Sequence, residues 1–88
     1  MKVAKGFCIR EILDEIVAIP TNEAASLFSG IISLNETGRF LFEELSNEHT
    51  IESLTNSLLD HYDIDYQTAQ ADVVEFLDLL RKNNLLVE

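Results

Sequence analysis

The junction Leu34-Asn35-Glu36 constrains what this chain can fold into more than any other feature. Upstream of it, Phe28-Ser29-Gly30-Ile31-Ile32-Ser33-Leu34 has the apolar, partly β-branched character of a half-buried strand. Asn35 sits where a helix N-cap belongs, and Phe40, Leu41, Phe42 and Leu45 supply an apolar helical stripe just beyond it. A strand therefore runs straight into a helix, with strands before the junction and helices after it. If that strand is the last of its sheet, it is an edge, and its unpaired backbone groups are a place where another chain can add.

The segments on either side read in the same sense. Residues 7–12 alternate well enough for a first strand, and residues 15–19 form a second, stopped by Pro20. Leu13-Asp14 has the length of a tight hairpin turn without the Asn-Gly or Asp-Gly pair that marks the strongest cases. After a polar connection from Thr21 to Ser26, residues 28–34 make the third strand. A sheet this small cannot stand alone and must lay one face on helices.

The first helix spans residues 36–45. Thr50 caps a second, residues 51–62, whose apolar face is Ile51, Leu54, Leu58, Leu59 and Tyr62. Asp65 caps a third, residues 66–82, with the stripe Tyr66, Ala69, Val73, Phe76, Leu77 and Leu80. Its Arg81-Lys82 end suits the helix dipole. Asn83-Asn84 supplies the stop, because Asn tolerates the left-handed conformation of a helix end. Leu85-Leu86-Val87 then packs back on the core. The expected architecture is α+β and winged helix-turn-helix-like: an N-terminal three-stranded antiparallel sheet followed by a three-helix bundle, one domain over residues 1–88.

Two apolar residues of the third helix fall off its main stripe. With Val73 at zero, Val74 lies at about 100° and Leu79 at about 240°. Each either widens the core face or lines a groove where the helix flanks the sheet.

Charge narrows the function classes. Asp and Glu outnumber Lys and Arg 16 to 6, for a formal net charge of −10. The polar face of the third helix carries Asp72, Glu75 and Asp78, the wrong sign for a recognition helix in a DNA groove. Nucleic acid and anionic lipid are repelled at long range. The charge serves solubility or a preference for positively charged partners. No apolar run approaches the length of a membrane span, and the N-terminus lacks a signal peptide's apolar region, so the expected compartment is the cytoplasm.

Chemistry-bearing residues are sparse. Cys8, inside a strand with no His nearby in sequence, is read as a packing residue, and His49 and His61 as solvated surface. Asp60, Asp63 and Asp65 lack the central Gly and terminal Glu of a calcium loop. Gly6, Gly30 and Gly38 make no phosphate-binding loop. No catalytic residue, metal site or cofactor is expected.

The strand with Ile9-Arg10-Glu11-Ile12, the hairpin, Leu34-Asn35-Glu36-Thr37-Gly38, the Thr-capped helix, the spacing of Phe76-Leu77 to Leu80 and the Leu85-Leu86-Val87 tail resemble, in this order, the PqqD-like family. These are the peptide-recognition domains of ribosomal-peptide modification pathways, also called RiPP recognition elements. The similarity runs from about Phe7 to Val87; Asn84 stands where family members often carry Gly.

The resemblance implies a non-catalytic peptide chaperone. It would bind the leader of a precursor peptide as a strand added to the third strand, against the third helix, and present it to a modifying enzyme. That enzyme is often a radical S-adenosylmethionine enzyme with its own iron–sulfur clusters. Carried onto this sequence, the peptide-binding residues are Phe28, Gly30, Ile31, Ile32, Ser33 and Leu34 on the edge. Val73, Val74, Phe76, Leu79, Leu80 and Arg81 form the opposing wall, with Arg81 and Lys82 placed to meet acidic leader side chains. The rival class is a winged-helix protein-interaction or regulatory domain without leader recognition, including a homodimer paired through its own edge strand.

Overall fold

The computed structural model describes residues 1–21 and 31–88. Along the chain, the described elements are β1 (Lys2–Val3), β2 (Phe7–Ile12), β3 (Glu15–Pro20), β4 (Ile32–Leu34), α1 (Glu36–Glu44), α2 (Ile51–His61), α3 (Tyr66–Lys82) and β5 (Leu86–Val87). The expected α+β arrangement is present: β2, β3 and β4 form an antiparallel sheet in that order, and the three helices follow it. The third strand is shorter than expected. It begins at Ile32, Ile31 lies outside it, and the expected residues 28–30 fall outside the described residues.

Local side-chain chemistry places the helix starts where the sequence put them. Asn35 Oδ1 accepts from the Gly38 amide at 2.7 Å. Thr50 Oγ1 accepts from the Ser53 amide at 3.0 Å, and Ser53 Oγ returns a bond from the Thr50 amide at 2.9 Å, a reciprocal capping box. Asp65 Oδ1 accepts from the Thr68 amide at 2.8 Å. At the far end of α3, Asn84 adopts a φ of 60°, the left-handed stop expected of it. Leu13 and Asp14 also take positive φ, 50° and 68°, as a two-residue hairpin turn of the primed type demands.

Sheet register decides which side chains reach the helices. Ile9 pairs with Ala18 and Ala18 with Ile32, while Ile16 pairs with Leu34. These residues, with Phe7, occupy alternate positions on the face that packs against the helical core. The helices contribute Leu41, Leu54, Leu58, Leu77 and Leu80, and the residue that closes α1 adds Leu45, all essentially without exposure. Thr55 is the one buried polar residue among the described residues, and its hydroxyl donates to the Ile51 carbonyl oxygen at 2.7 Å.

The same alternation corrects the reading of Cys8. With Phe7 and Ile9 facing the core, Cys8 points the opposite way and is exposed. Tyr66 and Ile51 are likewise 48% and 39% exposed, because each opens its helix and overhangs the end of the core. Pro20 does not stop the second strand short at residue 19 but forms its last residue, paired with Phe7. His61 is exposed, with its ring stacked on Phe40 at 4.5 Å, and half-buried His49 shares a hydrogen bond with Ser53 Oγ at 2.9 Å.

The chain ends meet in a ribbon that the sequence did not signal. Lys2 pairs with Val87 and Val3 with Leu86. The ribbon is tied to the core by Val3 N–H donating to the Leu45 carbonyl at 2.9 Å and Ala4 N–H donating to that of Leu85 at 2.7 Å. The Met1 ammonium pairs with Glu48.

The Asp65 cap gives the fold an acid dependence. Hydrogen bonds from the Thr68 side chain and backbone hold this carboxyl below its ordinary value of 3.8. Its charge therefore contributes stability above that ordinary value, and the contribution is lost as pH falls through the lower folded-state value. Asp65→Asn keeps a capping oxygen without the charge. In thermal melts between about pH 6 and pH 2, the variant is expected to lose less stability on acidification than the parent. Parallel pH profiles would contradict this role of the cap.

Candidate functional site

A groove of about 830 Å³ opens between the β4–α1 junction and α3. One wall is Ser33, Leu34 and Asn35, continued by Thr37, Gly38 and Leu41 of α1. This wall exists because β4 passes into α1 with only the cap residue between them. Beside it, β4 pairs with β3 on one side and with no strand on the other among the described residues, so it presents a backbone edge.

The opposite wall is α3. Phe76, 7% exposed, closes the floor. A methyl group on Gly38 would meet Phe76 Cε1 at 3.5 Å, Leu34 Cβ at 3.6 Å and Asn35 Oδ1 at 3.1 Å. The contacts with Phe76 and Leu34 are ordinary ones, so Phe76 lies within contact range of this position, and the crowding would fall on the Asn35 cap. The contact also orients α3: the stripe nearest the junction is Asp72, Glu75, Phe76 and Leu79, at spacings of three, four and seven.

The residues singled out in the sequence fall into distinct places. Ser33 and Leu34 line the groove, with Leu34 buried. Ile32 is half-buried on the core face of β4, and Ile31, 60% exposed, precedes the strand. Phe28 and Gly30 lie outside the described residues. Leu79 and Val74 line the groove at 37% and 41% exposure. Val73 and Leu80 have no exposure, and their side chains belong to the core behind the helix face.

Arg81 is committed elsewhere. Its guanidinium donates to Glu88 Oε1 at 2.8 Å and to Asp78 Oδ1 at 3.1 Å, and these bonds raise its pKa, Glu88 first. The groups are exposed and screened, so the pairs add little stability; Arg81 does not itself line the groove and touches its lining through Asp78.

Sequence reasoning assigned no groove role to Gly38, Asp72 or Glu75, all of which line it, as does Lys82, which it had placed beside Arg81 to meet the peptide. The available signal was helical spacing: Asp72 and Glu75 share the flank of Leu79. The lining is therefore an apolar floor under a rim of Asp72, Glu75 and Asp78, with Lys82 the single cation among the described residues that line it. Exposed Cys8 lies outside this lining, and among the described residues no cluster of His, Cys, Asp and Glu is arranged to hold a metal. Such a surface offers backbone pairing, apolar contact and negative charge.

Comparison with known proteins adds the following. Residues 15–86 match the model of a family described as coenzyme PQQ synthesis protein D (PqqD). No curated protein matches the chain in sequence. Its fold is shared by TbiB1 in complex with the TbiA(beta) leader peptide, with a TM-score of 0.70 and 22% identity over 98% of this chain and 94% of that one. It is also shared by lasso peptide synthetase B1 complexed with the leader peptide, with a TM-score of 0.69 and 14% identity over 99% and 96%. At these identities the likeness is one of fold.

Proposed function

The chain belongs to the PqqD family, and from that premise we propose that it is a non-catalytic recognition domain for the leader of a ribosomally made precursor peptide. The leader adds to the free edge of β4 and presses its side chains onto α3. The domain then hands the peptide to a modifying enzyme, in this family often a radical S-adenosylmethionine enzyme whose cofactors stay with that partner. No helix among the described residues is long and apolar enough to cross a membrane.

One observation carries the reading: β4, which among the described residues pairs on one side only, contributes Ser33 and Leu34 to a groove floored by Phe76 and walled by Leu79. Backbone pairing there supplies register, and the apolar floor supplies discrimination. The two fold neighbours, each a complex with a leader peptide, support the same use of this architecture. A rim cation from Arg81 toward acidic leader side chains is not retained, because Asp78 and Glu88 already hold it.

The test is an amide NMR titration with the N-terminal segment of a short peptide encoded beside this gene. Saturable shifts are expected at Ile31–Leu34 and at Asp72, Glu75, Phe76 and Leu79, with the outer face around Cys8 and Arg10 quiet. Shifts confined to other surfaces would overturn the assignment. A dimer whose contacts bury β4 and which the peptide does not dissociate would favour the self-pairing alternative.

A further inference from the structure

We propose that the groove selects a cationic strand: apolar side chains settle on Phe76 and Leu79, and flanking Lys or Arg side chains reach Asp72 and Glu75. The proposal deepens, and rests on, the leader-binding reading of this groove.

Three observations fix the sign of the occupant. Asp72 and Glu75 stand on the same α3 stripe as Phe76 and Leu79, so a peptide that covers the apolar pair passes beside both carboxylates. Neither carboxylate has a hydrogen bond or ion pair among the described residues, unlike Asp78, which Arg81 neutralises. Two of the three arginines are engaged elsewhere, Arg39 with Glu11 at 2.8 Å and Glu43 at 3.1 Å and Arg81 with Asp78 and Glu88, and Arg10 on β2 lies outside the groove lining. Among the described residues, Lys82 alone brings positive charge to the lining.

An acidic peptide would therefore bring like charge onto an unneutralised rim of a molecule already at −10. A basic one supplies the missing partners. Asp72 is half-buried, so a cation placed there is screened less than one on open surface. Because side chains of an extended peptide alternate, those facing α3 are every second residue, and the basic and apolar positions share that parity.

The experiment selects a displayed library of random 12-residue peptides on the immobilised 88-residue chain. The expected winners carry Lys or Arg at the same parity as their apolar anchors. One winner, resynthesised, should bind Asp72→Asn/Glu75→Gln about three- to tenfold more weakly than the parent, with a shallower salt dependence. Asp60→Asn/Asp63→Asn removes two exposed carboxylates outside the groove lining and should leave affinity within about twofold. Equal losses in both variants would reduce the effect to net charge and overturn the proposal. Winners without basic excess that still shift the amides of β4 would overturn it while leaving the peptide reading intact. No enrichment, or winners that leave β4 unperturbed, would overturn both.

Discussion

Phe76→Ala is expected to destabilise the fold by about 3–5 kcal/mol and to open the floor of the groove. The residue is 7% exposed, belongs to the main core cluster and lies beside Gly38. A chain of this length has a total stability of about 4–13 kcal/mol, so the variant stands near the unfolding threshold. Leu77→Ala, its neighbour with no exposure and no place in the groove lining, is the control, at about 2–5 kcal/mol. Urea unfolding should show lower midpoints for both. Among the molecules that remain folded, only Phe76→Ala should weaken peptide binding, because of these two residues Phe76 alone belongs to both core and groove. Equal peptide affinity for the two folded variants would mean that the floor takes no part in recognition.

The second large effect belongs to the backbone of the bound peptide. A strand added beside β4 points every second N–H at that edge and the others away. Single N-methylation, scanned along a binding peptide, should then alternate. At inward positions it removes one hydrogen bond, leaves a β4 acceptor without its partner and introduces a clash, for about a 10- to 100-fold loss. At outward positions it should cost little. A scan by isothermal calorimetry reads this directly, and a loss with helical spacing, or none at all, would exclude strand addition. Side-chain substitutions in the peptide cannot draw this distinction, since both a strand and a helix can rest an apolar side chain on Phe76.

The reliability of the sequence reading followed the range of each interaction. Asn35, Thr50 and Asp65 were recognisable as caps because each bonds the amide three residues on. Asn84 was recognisable as a stop because the conformational preference belongs to the residue itself. The core stripe of α3 followed from its period, apart from Tyr66, which lies beyond the end of what the helix packs on. Cys8 was misread because strand membership alone does not say which face a residue takes; the neighbouring Phe7 and Ile9 settle that.

Long-range pairing was another matter. The β1–β5 ribbon joins two residues at each end of the chain, too few to show any periodicity. Arg81 looked free on its helix, and only the return of the tail brings Glu88 within 2.8 Å of it.

By itself, then, the sequence determined the elements, their caps, the order of sheet and helices, and the excess of negative charge, because propensity, capping and composition act within a few residues. It also held Val74 and Leu79 off the core stripe, as angles on a helix with no direction in space. Tertiary structure alone decided that both of them line the groove. Phe76 packs beside Gly38, and Asp72, Glu75 and Leu79 line the groove together with Ser33 and Leu34 of β4. A helix fixes the angles between its own side chains, but only contact with its neighbours fixes its rotation about its axis.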